Sequence, residues 1–217
     1  MTRLYKIAIP VMMFLIACIL ILLFYNGILW FNNPSEKEYP VKGVDVSAYQ
    51  GTIDWDVLAK QEITFAFIKA TEGSSHQDSR FEENWKNAQK TSLRIGAYHF
   101  FSYDSDGYSQ AQNFISTVPV LEGALPPVVD IEFYGENKKN PPSKEAVLPI
   151  LNTFLAQLEE HYGKKPILYA TMKSYDLYLS GEYQEYPLWI RNVLRFPKLP
   201  DEQKWSFWQY SHRERLE

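Results

Sequence analysis

Residues 126–135 read PPVVDIEFYG. Two prolines lead into an apolar run of strand type, and two acids, Asp130 and Glu132, interrupt it one residue apart. An unpaired carboxylate in a buried strand is costly, so acids at such positions need a reason. On a strand, residues i and i+2 share a face and stand about 6.6 Å apart along the chain. Asp130 and Glu132 therefore point one way, with Val129, Ile131 and Phe133 pointing the other. Both acids come at the end of their strand, just ahead of Tyr134 and Gly135. In parallel β/α folds that end is where active sites assemble. Two acids this close cannot both ionise freely, so one is expected to hold a proton and be able to donate it.

Working outward, similar short apolar runs recur at 44–46, 65–69, 95–101, 127–131, 167–171, 188–190 and 206–210. Helical stretches fall between the earlier ones. Residues 53–61 carry the start signal Asp54 before Trp55 and Leu58, and 81–91 place Phe81, Trp85 and Ala88 at helical spacing. Residues 109–116 follow. In 143–161, Ser143 and Glu145 mark the start, and Val147, Leu148, Leu151, Phe154, Leu155 and Leu158 form one apolar face. Alternating strands and helices imply a parallel sheet with right-handed crossovers. After Tyr169 the connections shorten and the rhythm fails, so the fold class expected is α/β, an irregular TIM-like β/α barrel.

Asp45, in Gly43-Val44-Asp45-Val46-Ser47, has the same placement at the tip of the first short strand. Three acids at strand tips converge if the sheet closes. Paired carboxylates among aromatics, with no metal cluster or thiolate, suit glycoside hydrolysis. Plainer readings stand beside this one. An Asp-x-Glu can simply bind a cation or an Arg, and Asp45 can form a turn near Trp55. Lys69 and Glu72 read as an ion pair, His99 as a satisfied core histidine, and Trp55, Trp85 and Phe154 as core.

Composition narrows the function. Hydrophobic residues are 46% and charged residues 22%, the balance of a packed globular protein. Aromatics at 16% are abundant, which suits a ligand with flat apolar faces. Net charge is −4; residues 1–34 hold Arg3, Lys6 and no acid, so the rest carries 20 bases against 26 acids. No basic patch emerges, and nucleic acid is not expected as a partner. The one cysteine, Cys18, lies in the apolar N-terminal run, and the four histidines are scattered. Neither a metal nor a cofactor is expected.

From Lys6 to Glu36 there is no charge, and residues 7–25 are strongly apolar over 19 positions. At 1.5 Å per residue that run is about 28 Å long, close to the bilayer's hydrocarbon thickness. Arg3 and Lys6 are expected to stay cytoplasmic, with Trp30 and Phe31 as an interfacial anchor on the far side. A single N-terminal transmembrane helix thus precedes the barrel: residues 1–31 form the cytoplasmic start and anchor, 32–41 a linker, and 42–217 the catalytic domain. A cleaved signal peptide would have a shorter apolar region and a small-x-small site, which is not found after Tyr25. A lipoprotein box at Leu15-Ile16-Ala17-Cys18 would leave an apolar mature start instead of a polar tether. All three readings place the domain outside the cytoplasm.

The motifs themselves carry a family resemblance. GVDVSAYQGTIDW (43–55), FAFIKATEG (65–73), RIGAYHFF (94–101), PPVVDIE (126–132), PILYAT (166–171), PLWI (187–190) and FWQYS (207–211) occur in order. This set resembles glycoside hydrolase family 25, the Chalaropsis-type lysozymes, over essentially the whole domain. The resemblance implies cleavage of the β-1,4 bond between N-acetylmuramic acid and N-acetylglucosamine, with peptidoglycan glycan strands as partner. It implies Glu132 as general acid, with Asp130 and Asp45 stabilising charge or orienting substrate. Inversion and substrate-assisted retention both stay open. Tyr98, Tyr134, Tyr169, Trp189 and Gln209 match positions near the family's groove and are expected to bind substrate. The chain ends at Arg213-Glu214-Arg215-Leu216-Glu217, where the family usually continues through a further strand to an Asp-x-Asn element; a fourth acid is expected there and is not in the sequence. Arg191 stands where many members have Ala, and is expected to narrow the groove or pair with Asp130. The alternatives to a muramidase are a catalytically impaired wall-glycan-binding module and another glycosidase acting on N-acetylhexosamine polymers.

Overall fold

The computed structural model describes residues 2–26, 32 and 34–212. The expected anchor residues Trp30 and Phe31 and the tail 213–217 lie outside the described residues. Helix α1, Thr2–Tyr25, contains Ile7–Tyr25, the one helix among the described residues long and apolar enough to cross a membrane. None of the side chains in this stretch is buried, so no protein core accounts for its apolar character.

Eight strands follow: β1 Gly43–Val46, β2 Phe65–Glu72, β3 His76–Gln77, β4 Arg94–Phe100, β5 Val128–Ile131, β6 Ile167–Thr171, β7 Leu188–Arg191 and β8 Phe207–Gln209. The order is β1-β2-β4-β5-β6-β7-β8, every neighbouring pair parallel. The small β3 folds back antiparallel on the end of β2. The sheet curls into a half-barrel of the expected TIM-like kind. Helices α2 (Trp55–Leu58), α3 (Phe81–Ala88), α4 (Gly107–Thr117) and α5 (Lys144–Tyr162) supply the early crossovers. Beyond β6 only the short turns Met172–Ser174 and Tyr175–Leu179 remain, and β7 reaches β8 through irregular chain, as the failing rhythm predicted.

Local chemistry sets the boundaries. Asp54, Asp106 and Ser143 cap α2, α4 and α5, each side chain accepting from the backbone N–H three residues on. The first residue of α4, Gly107, touches α5 so closely that a Cβ would lie 2.1 Å from the Ile150 carbonyl oxygen. Strand β2 runs past the expected 65–69 to Glu72, because a register shift between Lys69 and Thr71 lets its tip pair further with β4.

Two apolar layers result from strand alternation. Ile68, Val129, Ile131, Ala170 and Ile190 face outward and are covered by Leu151, Phe154, Leu155 and Leu158 of α5 and by neighbouring helices. Trp55, Trp85 and Phe154 sit in this layer, as expected. Phe67, Val128, Ile167, Tyr169 and Trp189 face inward with Phe65, Tyr98 and Phe207 around them. The Phe207 ring of β8 lies 5.5 Å from that of Phe65 and 5.7 Å from that of Phe67 on β2. The two ends of the curled sheet therefore meet through side chains. No backbone ladder joins β1 to β8 among the described residues.

Candidate active site

A cavity of about 810 Å³ opens at the C-terminal ends of the strands, above this inner layer. Asp45 from β1, Asp130 from β5 and Glu132 just past β5 all line it. Strand alternation explains the selection: Val128, Asp130 and Glu132 face in, while Val129 and Ile131 are fully buried on the helix side. Tyr98, Tyr169, Trp189 and Gln209 line the same cavity. Tyr134 does not. Its loop turns away, and its hydroxyl donates to Asp104 at 2.8 Å, accepts from the Tyr103 N–H at 3.0 Å and meets Ser102 Oγ at 3.2 Å. Its ring stacks on Tyr103 at 5.6 Å.

The three acids differ in surroundings. Asp130 has one oxygen, Oδ1, closed off from solvent and without a hydrogen-bond partner. Burial, then the nearby Glu132 and Asp45 charges, push its carboxyl well above the usual range. Glu132 keeps about a quarter of its side chain, 27%, open to the groove. Burial raises its carboxyl too, but the Arg191 guanidinium, 3.9 Å from Oε1, pulls it back. Arg191 thus approaches Glu132, correcting the expected pairing with Asp130: as the last residue of β7 it stands beside the outer acid of the pair, and Asp130 lies beneath. Asp45 is also raised by burial, opposed by a hydrogen bond from Gln209.

That last bond belongs to a chain. Gln209 Nε2 donates to Asp45 Oδ1 at 2.8 Å, and Tyr169 Oη donates to Gln209 Oε1 at 2.7 Å. The Tyr169 hydroxyl also reaches Glu132 Oε1 at 3.4 Å, a contact that pulls the Glu132 carboxyl down against its burial. Burial raises both carboxyls of the Asp130–Glu132 pair, Asp130 the more, so the proton the two share rests on Asp130.

The rim adds residues that local sequence did not single out. Tyr49, in the turn after β1, is 96% exposed over the cavity. Lys138 and Lys173 stand on the β5–β6 side, where Lys173 Nζ donates to the Lys138 carbonyl at 2.9 Å and lies 5.1 Å from the Phe133 ring centroid. The tyrosine sits in the quoted motif, a signal that could have found it. The two lysines had no comparable mark. Lys69, also on the rim, pairs with Glu72 at 2.7 Å as read from sequence. His99 is a satisfied core histidine, between Thr71 Oγ1 at 2.7 Å and Gln110 Oε1 at 3.1 Å. Among the described residues no group of three or more His, Cys, Asp or Glu side chains is placed to hold a metal ion.

Known proteins share this sequence and this fold. The family model for Glycosyl hydrolases family 25 matches residues 44–217. A solved structure described as a family 25 glycosyl hydrolase from Bacillus anthracis is 54% identical, covers 86% of each chain and superposes with a TM-score of 0.84. Among curated relatives, the Escherichia coli K12 protein YegX is 36% identical over 180 residues, 81% of this chain and 64% of its own length. Lysozyme M1 of Streptomyces globisporus is 32% identical over 187 residues, 79% of this chain and 62% of its own. The chain thus spans just under two thirds of the length of the curated relatives it matches.

Proposed function

The chain belongs to glycosyl hydrolases family 25, and from that premise we propose that it is a lysozyme-type muramidase. Its substrate is peptidoglycan, cut at the β-1,4 bond between N-acetylmuramic acid and N-acetylglucosamine. The observation that carries this reading is the meeting of Asp45, Asp130 and Glu132 in one aromatic-walled groove.

Reach assigns the roles before pKa does. Both acids of the close pair line the groove, but Asp130 has one oxygen closed off from solvent. Glu132, at the strand tip, keeps 27% of its side chain open and is assigned to touch the bound glycosidic oxygen. A sugar ring laid over Glu132 removes its remaining water and draws the shared proton outward from Asp130. Glu132 then gives that proton to the departing oxygen as the C–O bond breaks. Asp130 is left ionised beneath the sugar as positive charge develops on its ring. Asp45, whose carboxyl accepts from Gln209, adds a further acid from the facing strand. Tyr98, Tyr169 and Trp189 line the groove as surfaces for the apolar faces of sugars, with Gln209 as a polar contact. Tyr134, bonded away from the cavity, is not retained among the substrate contacts.

We place the domain outside the cytoplasm. Ile7–Tyr25 serves as a single uncleaved span, with Arg3 and Lys6 on the cytoplasmic side. An enzyme fixed this way works on the wall of the cell that makes it.

The test is digestion of purified peptidoglycan by the full chain beside Glu132→Gln. New N-acetylmuramic acid reducing ends, seen by mass spectrometry and reduced at least about a hundredfold in the variant, are expected. Glycan binding without new ends would favour a binding module, and N-acetylglucosamine reducing ends a different glycosidase.

A further inference from the structure

The proposed span ends at Tyr25, and Asn32, seven residues on, already touches the folded domain. Its Nδ2 donates to the Asn192 carbonyl at 3.2 Å, and the same carbonyl accepts from Trp208 Nε1 at 2.9 Å. The linker is therefore pinned where β8 meets the chain leaving β7. A fully extended chain covers at most about 3.5 Å per residue, so this point lies within about 25 Å of the end of the span. The sequence between contains Ile28, Leu29, Trp30 and Phe31, residue types that favour the bilayer interface over water. The domain is held close against the membrane at this loop.

The loop is built for such a surface. Leu194 is 67% exposed and Phe196 48%, and Arg195 and Lys198 are exposed beside them. Beneath, the Phe196 ring packs 5.7 Å from Trp205 and 5.6 Å from Trp208. Tyr39 packs on the same two indoles at 6.0 and 5.8 Å. The nearby carboxylate of Asp201 is turned inward, accepting from Tyr175 Oη at 2.6 Å and the Gly181 N–H at 2.9 Å. Apolar tips on a rigid aromatic base, flanked by cations, match the chemistry of an anionic lipid surface.

We propose that residues 192–199 seat on the outer leaflet as a second membrane contact, Leu194 and Phe196 entering the headgroup boundary and Arg195 and Lys198 meeting lipid phosphates. This rests on the reading of Ile7–Tyr25 as a span. Arg191, the last residue of β7, lines the groove, so the seated loop leaves directly from the groove's rim. Seating it fixes how the groove faces the membrane.

The test uses the full chain with Cys18→Ser, reconstituted into vesicles of phosphatidylglycerol and phosphatidylethanolamine. A single cysteine at position 194, or at 120 as control, carries an environment-sensitive fluorophore. Val120 is 64% exposed in the loop before β5, at the opposite end of the strands from the groove. The expected result is a blue-shifted probe at 194, protected severalfold from aqueous iodide relative to 120. Adding Arg195→Glu should reduce that protection. If the protein resists alkaline extraction but position 194 is as accessible as 120, the docking is overturned and the span stands. If alkali extracts the chain, the span fails and the docking with it.

Discussion

At the scale of single residues, Asp130 is held in a place that suits chemistry better than stability. Burial puts its folded pKa well above the unfolded value. A carboxyl raised on folding binds its proton more tightly in the fold, so its contribution to stability falls as pH rises from the unfolded pKa towards the folded one. Replacing it by Asn removes that loss. Asp130→Asn is expected to raise Tm by a few degrees at pH 7, with the advantage closing near pH 4, while wall hydrolysis is lost. Thermal melts at the two pH values check the first part, and a variant no more stable at pH 7 than the parent would refute it. Arg191 offers a complementary test. Its guanidinium opposes the burial that raises Glu132, so Arg191→Met lets that carboxyl rise further. The basic limb of the kcat/KM profile should move to higher pH, and only modestly because both side chains are partly exposed.

At the scale of elements, His99 fastens β4 to the helices behind it. Gln110 Oε1 already accepts from the Ser102 N–H at 2.8 Å, and Gln110 Nε2 donates to the Ser102 and Ser105 carbonyls at 2.9 Å each. The amide oxygen thus faces the imidazole, which makes Nε2 the protonated nitrogen and leaves Nδ1 to accept from Thr71. The ring also packs 4.7 Å from Phe154 of α5. Burial lowers its pKa from 6.5 to about 4 against the opposing hydrogen bond to Gln110, with Glu72 and Lys69 acting in opposite senses. The unfolded chain therefore binds more protons between these values, and the fold loses stability as pH falls from about 6.5 to about 4. The drop of about 2.5 units is worth about 3 kcal/mol. Urea unfolding at pH 7 and pH 4 should show that extra loss in the parent and not in His99→Gln. The raised active-site acids act oppositely but are common to both chains, so they cancel in the comparison. Equal losses would show that His99 is not the group responsible.

At the scale of the whole molecule, what was legible in the sequence is what alternation and order encode. The strand runs, the α5 face and the inward set of Asp130 and Glu132 follow from periods of two and 3.6 residues, and Asp45 from its strand-tip position. Tyr134 illustrates the limit, since residues beyond a strand tip follow the loop's path, which local pattern does not specify. The partner of Arg191 depended on register between β5 and β7, strands that are not neighbours. The seam between β1 and β8 was equally hidden, because it is closed by side chains from strands far apart in sequence. Phe207 is its inner fastening, against Phe65, Phe67 and Trp189 at 5.5, 5.7 and 6.2 Å. Two residues on, Gln209 holds Asp45 and Tyr169. Phe207→Ala should therefore cost roughly 2–3 kcal/mol, below a fully buried Phe because this ring is half-buried. It should also lower kcat well below the new Tm, because a loosened β8 misplaces Gln209. Phe207→Leu, which refills most of the volume, should restore both. A variant that melts earlier yet turns over at the parent's rate when folded would show that the seam supports the barrel without positioning its acids.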